Sequence, residues 1–280
     1  MHTKKNPSPL VSIITPSFNQ GRFIEETIQS VIKQDYSNIE YIIIDGGSDD
    51  NTIATIKKYE NYISNWISEP DEGQTHAILK GFEKAKGKYI SWLCSDDLIE
   101  PSMVSISVAF LENHPEYVMT FGDRVRYDSK SNIIGYHRYC KFRPWLLKWG
   151  FAIPQESILM RRDSYDCTGG LNKSLNMAMD FDLFCKLSKV GSIKHLPAFF
   201  GRFRSHENNK STLFNNEISQ TGFNNGAPLE LAQVYQKHFH KQFPVLKWRK
   251  VSFLNEMLSF FDRRTKRHKS EKNLISAIRG

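Results

Sequence analysis

The chain has 280 residues, 40% of them hydrophobic and 24% charged, which suits one large soluble domain or a domain with an appendage. No apolar run approaches the roughly 20 residues that a membrane-spanning helix needs. The four cysteines (Cys94, Cys140, Cys167 and Cys185) form no CxxC pair, which argues against a disulfide framework or a cysteine zinc site and fits a reducing compartment.

The net charge of +8 is unevenly placed. Residues 237–280 hold twelve Lys or Arg against three Asp or Glu, and the rest of the chain holds 26 against 27. The opening MHTKKNPSP is polar and leads straight into an apolar run, so no signal peptide and a cytoplasmic location are expected.

The first half alternates strands with helices. "LVSIITPS" reads as a buried strand ended at Pro16, followed by a helical pattern from Phe23 to Lys33. "IEYIIID" is a second strand. "DGGSDDNT" is a loop whose Asp50 or Asn51 caps a helix through Lys58. "NWIS" is a short strand, Thr75–Ala85 a helix, "KYISWL" a strand, and Pro101–Asn113 a helix. Such alternation predicts βαβ units and a mostly parallel sheet.

Beyond Tyr117 the pattern turns mixed. "YVMTFGD" and "QESILMRR" read as strands, with a hairpin around Ser129–Asn132. "NMAMDFDLFCKLSKVG" is a helix, and "IKHLP" and "FFGRFRSH" are two short strands. The expected organisation is a domain over 1–207, with a nucleotide-type half at 9–116 and a second half at 117–207. An Asn/Ser-rich linker over 208–236 and a basic helical tail over 237–280 complete it. In the tail, "VLKWRKVSFLNEMLSFF" sets a broad apolar face beside Lys247, Arg249 and Lys250. It packs on the domain or lies on an anionic membrane surface.

In an open α/β sheet, ligands gather at the carboxyl ends of the strands. Four polar clusters fall there: TPSFN, DGGSDD, EPDEGQ and CSDD. Adjacent Asp96 and Asp97 are either a cap and turn or a hard-cation site, where one carboxylate bridges a metal to a phosphate. DGGSDDNT lacks the EF-hand, Walker and dinucleotide spacings. Its Asp45 caps nothing obvious and reads as an acceptor for a ligand donor. Asp180, between Met179 and Phe181, is either a cap or a carboxyl raised for proton transfer, and Asp182, on another helix face, is exposed or paired with a lysine. His206 is structural, or it contacts metal or phosphate, and His76 is the only other histidine of interest.

"VSIITPSFNQGRFIEETIQSVIKQDYSNIEYIIIDGGSDDNT", "SEPDEGQTHAILKGF", "GKYISWLCSDD" and "IPQESILMRR…GGLNKSLNMAMDFDLFCKL" together resemble glycosyltransferase family 2, inverting enzymes of the GT-A fold, over about residues 9–206. The resemblance implies that Thr15, Ser17, Asn19, Asp45, Asp71, Gly73 and Ser95 contact the nucleotide. It also places Asp96 and His206 at a Mn2+ or Mg2+ ion and Asp180 as catalytic base. Departures from the pattern are Cys94 at the first acid of DxD, Gly46 for a frequent Asp, and His76 and Leu79 for Asp and Asn of DAxNKG.

The implied function is an inverting transfer of a sugar from a nucleoside-diphosphate donor, UDP by family preference, to a glycan or lipid-linked acceptor. Cell-surface polysaccharide assembly is the implied setting. Alternatives are a sugar-nucleotide nucleotidyltransferase, whose Gly-rich basic loop is absent from TPSFNQGRF, and a non-catalytic sugar or nucleic-acid binding module. Clustered carboxylates repel a phosphate backbone, so nucleic acid is not an expected partner.

Overall fold

The computed structural model describes residues 8–207, 209, 210, 227–242 and 254–259. Strands β1 (Val11–Ser17), β2 (Ile39–Asp45), β3 (Asn65–Ser68) and β4 (Tyr89–Trp92) alternate with helices α1 (Ile24–Ile32), α2 (Thr52–Lys58) and α3 (Gln74–Lys84). They form a wholly parallel run in the order β3-β2-β1-β4. All seven residues of β1 are buried, because helices cover both faces of a parallel sheet. Alternation sorts them: Ile14, Ile42, Ile44, Ile90 and Trp92 enter one core layer, and Val11, Ile13, Tyr41, Ile43 and Tyr89 the other.

The sheet continues through β8 (Leu159–Arg161), β6 (Tyr117–Tyr127), β9 (Ser192–Arg204) and β5 (Leu98–Ile99), and β7 (Ile133–His137) hangs from β6. Here pairing is mixed: β8 runs antiparallel to β4 and β6, and β9 parallel to β6. Helices α4 (Met103–Asn113), α5 (Arg162–Cys167), α6 (Met179–Val190) and α7 (Ala227–Phe239) complete the described elements. This mixed, mainly parallel α/β architecture is the expected GT-A type.

Several boundaries differ from expectation. The two short strands expected after Gly191 are one 13-residue strand, β9, because Pro197 is accommodated where the β6 register shifts. Helix α6 starts only at Met179, since residues 171–178 build a turn-rich loop. Within the span expected as linker, 208–236, the residues from Ala227 on belong to helix α7, which packs on α6, and 211–226 lie outside the described residues. The expected tail helix lies mostly outside the described residues. Its part at 254–259 is helical, with Leu254 and Leu258 against the core and Asn255 bonded to the Arg138 carbonyl and the Cys140 amide.

Candidate functional site

Register explains the donor-side edge. Ser17 pairs with Asp45, and Asp45 with Ser68, so the last residues of β1, β2 and β3 stand abreast at the carboxyl edge. Asp45 is fully buried. Its carboxylate accepts from the Gly47 and Ser48 amides and from the hydroxyls of Ser48 and Ser68. It therefore ties the second loop together and joins it to the end of β3.

Thr15 is likewise turned inward. It is fully buried, and its hydroxyl bonds Tyr41 Oη at 3.1 Å, so its side chain presents nothing at the edge. Ser17 differs, because its Oγ is buried with no partner among the described residues. Asn19, at φ 52°, ties the first loop to the second: its amide donates to Ser48 Oγ and its Oδ1 accepts the Asp49 amide. Of the two caps expected, Asn51 holds the N-cap position of α2 without a side-chain bond of its own, and Asp50 just before it takes the Thr52 amide.

The third loop closes against the second. Asp71 accepts the Gly73 amide at 2.7 Å, and Gly73 sits at φ 107°, which a side chain disfavours. A Cβ on Gly46 would meet the Asp71 carboxylate at 3.0 Å. Asp71 thus fills the space beside the position where the family often carries Asp. His76 Nδ1 only accepts the Glu72 amide.

The fourth loop holds the acids. Asp96 Oδ2 lies 3.0 Å from His206 Nε2, so the two expected metal contacts, 110 residues apart, do meet. Atoms of Cys94, Asp96 and Asp97 that can ligate a metal lie within 4.8 Å of one another. Ser95 is buried beneath them and its carbonyl accepts from Thr27.

The adjacent carboxylates do not sit in the same environment. Asp97 is buried, and its carboxylate accepts the Arg204 amide at 2.9 Å while its carbonyl accepts the Thr27 hydroxyl. Burial, then Asp96 and Glu156, push its carboxyl well above the ordinary range. A half-buried Asp96 beside an imidazole and a buried Asp97, with no Lys or Arg ion pair to either carboxylate among the described residues, is a donor set that suits Mn2+ or Mg2+. Cys94 suits them less, because burial and both Asp residues hold its thiol protonated; its sulfur takes a bond from Gln74 Nε2 at 3.0 Å.

Three residues overlooked in the sequence fix this loop. Arg204, fully buried at the end of β9, bonds the Asp96 carbonyl, Ser131 Oγ and Glu26. Arg124 and buried Glu156 form a two-bond pair at 2.6 and 2.7 Å behind it. The available signal was charge at alternate positions of apolar strands, as in GDRVRY and GRFRS, and a lone acid in IPQES.

Asp180 is the second residue of α6 and half-buried. Burial pushes its carboxyl up to about 6, partly opposed by backbone bonds and by Arg124. That value suits a proton acceptor at neutral pH. Asp182 overturns its expected exposure. It is fully buried, bonded to Lys237 Nζ at 2.8 Å and His238 Nε2 at 2.7 Å, and 3.0 Å from Lys186 Nζ. The expected lysine partnership therefore exists, but inside the protein. These partners outweigh burial and hold the carboxyl far below its ordinary range.

A parallel four-strand run, a mixed second half and an acid cluster at the shared edge define the GT-A class of glycosyltransferases. The family described as "Glycosyl transferase family 2" matches residues 12–174, and the chain belongs to it. Similar relatives include a chondroitin synthase of Escherichia coli, 29% identical over 67% of this chain and 28% of that one. A hyaluronan synthase of Pasteurella multocida is 32% identical over 68% and 20%. The chain thus spans about a quarter or less of the length of these relatives.

Among solved structures, Staphylococcus aureus TarS in complex with UDP-GlcNAc aligns with TM-score 0.62 and 16% identity, over 86% of this chain and 79% of that one. The mannosyltransferase PcManGT of Pyrobaculum calidifontis, in complex with GDP-Man and Mn2+, aligns with TM-score 0.55 and 15% identity, over 96% and 79%. Among the described residues no helix is long and apolar enough to cross a membrane.

Proposed function

We propose that this transferase moves a sugar from a uridine-diphosphate donor to an acceptor hydroxyl with inversion. The observation that carries the reading is the meeting of Asp96 with His206 beside buried Asp97 at the sheet's carboxyl edge, with an elevated carboxyl at Asp180 in the acceptor half. Ser17, Asn19, Asp71 and Gly73 serve the donor side of that edge, a reading supported by Ser17 Oγ, which is buried without a partner among the described residues. The UDP-bound relative of this fold and the chondroitin and hyaluronan synthases support a uridine donor and a role in surface polysaccharide or lipid-linked glycan assembly.

Asp96, His206 and Asp97 would hold a divalent cation. Such an ion neutralises charge on the departing diphosphate. Asp180 takes the proton of the acceptor hydroxyl as its oxygen bonds the anomeric carbon, and the bond from that carbon to the diphosphate oxygen breaks with its electron pair. No side chain is needed as nucleophile, and Cys94, held as a thiol, is not one.

The deciding experiment incubates the full chain with manganese and a panel of UDP- and GDP-sugars, with and without acceptor glycans. Acceptor-dependent release of UDP that stops with chelator is expected. Release of pyrophosphate, or full activity in excess chelator, overturns the reading.

A further inference from the structure

Helix α6 lacks a cap of its own. Its N-cap residue is Ala178, a poor choice because alanine offers no acceptor to the free amides at a helix start. Glu230 of α7 instead holds the three residues that lead into the helix, ending at that N-cap. Its carboxylate receives three consecutive amides, Asn176 at 3.0 Å, Met177 at 2.7 Å and Ala178 at 3.2 Å. A carboxylate there is favoured by both hydrogen bonding and the helix dipole.

A second anchor lies just past Asp180. Asp182 binds Lys237 and His238 of the same helix α7. Lys189 Nζ approaches His238 Nδ1 at 3.1 Å, which leaves Nε2 carrying the hydrogen that Asp182 accepts. Asp180 thus sits between two α7 contacts, at 176–178 and at 182.

The carboxylate of Asp180 bonds backbone amides of its own turn, its own and that of Phe181 at 2.7 Å, so its position follows the position of the turn. Arg124 of β6 is the charged group that acts on this carboxyl; the two flanking contacts bring in Asp182 and Lys186 of α6, Glu230, Lys237 and His238 of α7, and Lys210, whose Nζ lies 3.4 Å from the Asn176 carbonyl.

We propose that α7 belongs to the acceptor-side machinery: Glu230 is a positioning residue that fixes the first turn of α6, and through it the Asp180 carboxylate. The proposal rests on reading Asp180 as the base. A local Ser or Asp at position 178 would cap the helix without involving another element. Recruiting Glu230 from 52 residues away couples the base to the segment that carries α7.

The test uses the full chain with Glu230→Gln and Glu230→Ala, each alone and with Asp180→Asn. The carboxyl titration of Asp180, followed by 13C NMR, needs no substrate. It is expected near pH 6 in the parent and lower in both variants, as water reaches a loosened turn. With the donor that the parent turns over, kcat should fall roughly 10–100-fold for Ala and less for Gln, which keeps an acceptor oxygen, since small misplacements cost on this scale. UDP–manganese affinity should stay within about twofold, and the Glu230→Ala loss should vanish in the Asp180→Asn background.

A Glu230→Ala chain with parental titration and turnover overturns the proposal, as does a loss that persists without Asp180. If the Ala variant does not fold, a Gln variant parental in both measurements overturns it. If Asp180→Asn itself turns over at the parental rate, the base reading fails instead, and the NMR titration still decides whether Glu230 positions that carboxylate.

Discussion

The two halves of the molecule build their edges by different means. In the donor half, contacts within and between adjacent strand-end loops do the work, as where Asp45 gathers Gly47, Ser48 and Ser68, and Asp71 takes Gly73. In the acceptor half the links are distant. Arg204 reaches Asp96, Arg124 reaches Glu156, and α7 holds α6 at two points. Local loops of this kind carry polar groups that are satisfied in place, whereas the acceptor half depends on charge pairs between separate elements. Substitutions should therefore act mainly on binding in the first half, and on chemistry and stability together in the second.

The largest effect should come from Asp180→Asn. It keeps size and removes basicity, so turnover should drop about 10²–10⁴-fold with UDP–manganese affinity nearly unchanged. In the parent, kcat/KM should fall as pH drops through about 6, where the base gains its proton. The same shift has a stability consequence. A carboxyl raised from about 3.9 in the unfolded chain contributes most when protonated, and that contribution is lost as pH rises through about 6. Asp180→Asn should therefore melt slightly higher than the parent at pH 7.5 and equally at pH 4. Melting at both pH values, beside a turnover assay, checks both parts. A lower melting temperature at pH 7.5 would mean the carboxylate is structural.

Asp182→Asn should behave oppositely, with little direct effect on chemistry but a marked loss of stability. It strips the charge from a buried cluster and strands Lys186 and His238, at a cost of roughly 3 kcal/mol. Because the carboxyl is held below its ordinary range, its contribution is present above pH about 4 and is lost as pH falls through its lower folded value. Thermal melts of the variant should thus lie well below the parent at pH 7 and converge toward it in acid. A neutral result at pH 7 would restore the expectation of an exposed Asp182.

That reversal marks where the sequence was legible. Strand ends could be read because a period-2 apolar run followed by Gly, Asp and Ser announces a loop on the ligand edge, and the donor half is made of such runs. The pairing of Asp182 with a lysine was readable from Lys186 four residues on, but its burial was not, since its other partners lie 55 and 56 residues on at the start of the expected tail. The pairing of Asp96 with His206 came from the resemblance and not from spacing. Arg204 and Glu156 escaped notice because a buried charge in a strand looks the same as an exposed one until its partner is known. Inside the donor half the sequence placed residues at the edge but not their partners, so neither the Thr15–Tyr41 bond nor the loop bonds of Asp45 could be read from it.

The smallest effect separates two neighbours on β1. Thr15 and Ser17 were both expected at the nucleotide, and their side chains share one strand face by alternation. Thr15 Oγ1 has Tyr41, whereas Ser17 Oγ is buried without a partner among the described residues. A buried hydroxyl left unsatisfied costs free energy in the unliganded chain. Ser17→Ala removes that cost and should leave the unliganded protein as stable as the parent or up to about 1 kcal/mol more so. If the donor supplies the missing partner, the same change should weaken UDP binding several-fold, the worth of one hydrogen bond. Thr15→Val should do the reverse, with a small loss of stability from the orphaned Tyr41 hydroxyl and unchanged UDP affinity. Titration calorimetry with UDP and manganese, paired with thermal melts, reads both variants. Equal UDP affinity for parent and Ser17→Ala would show that the orphaned hydroxyl does not serve the nucleotide.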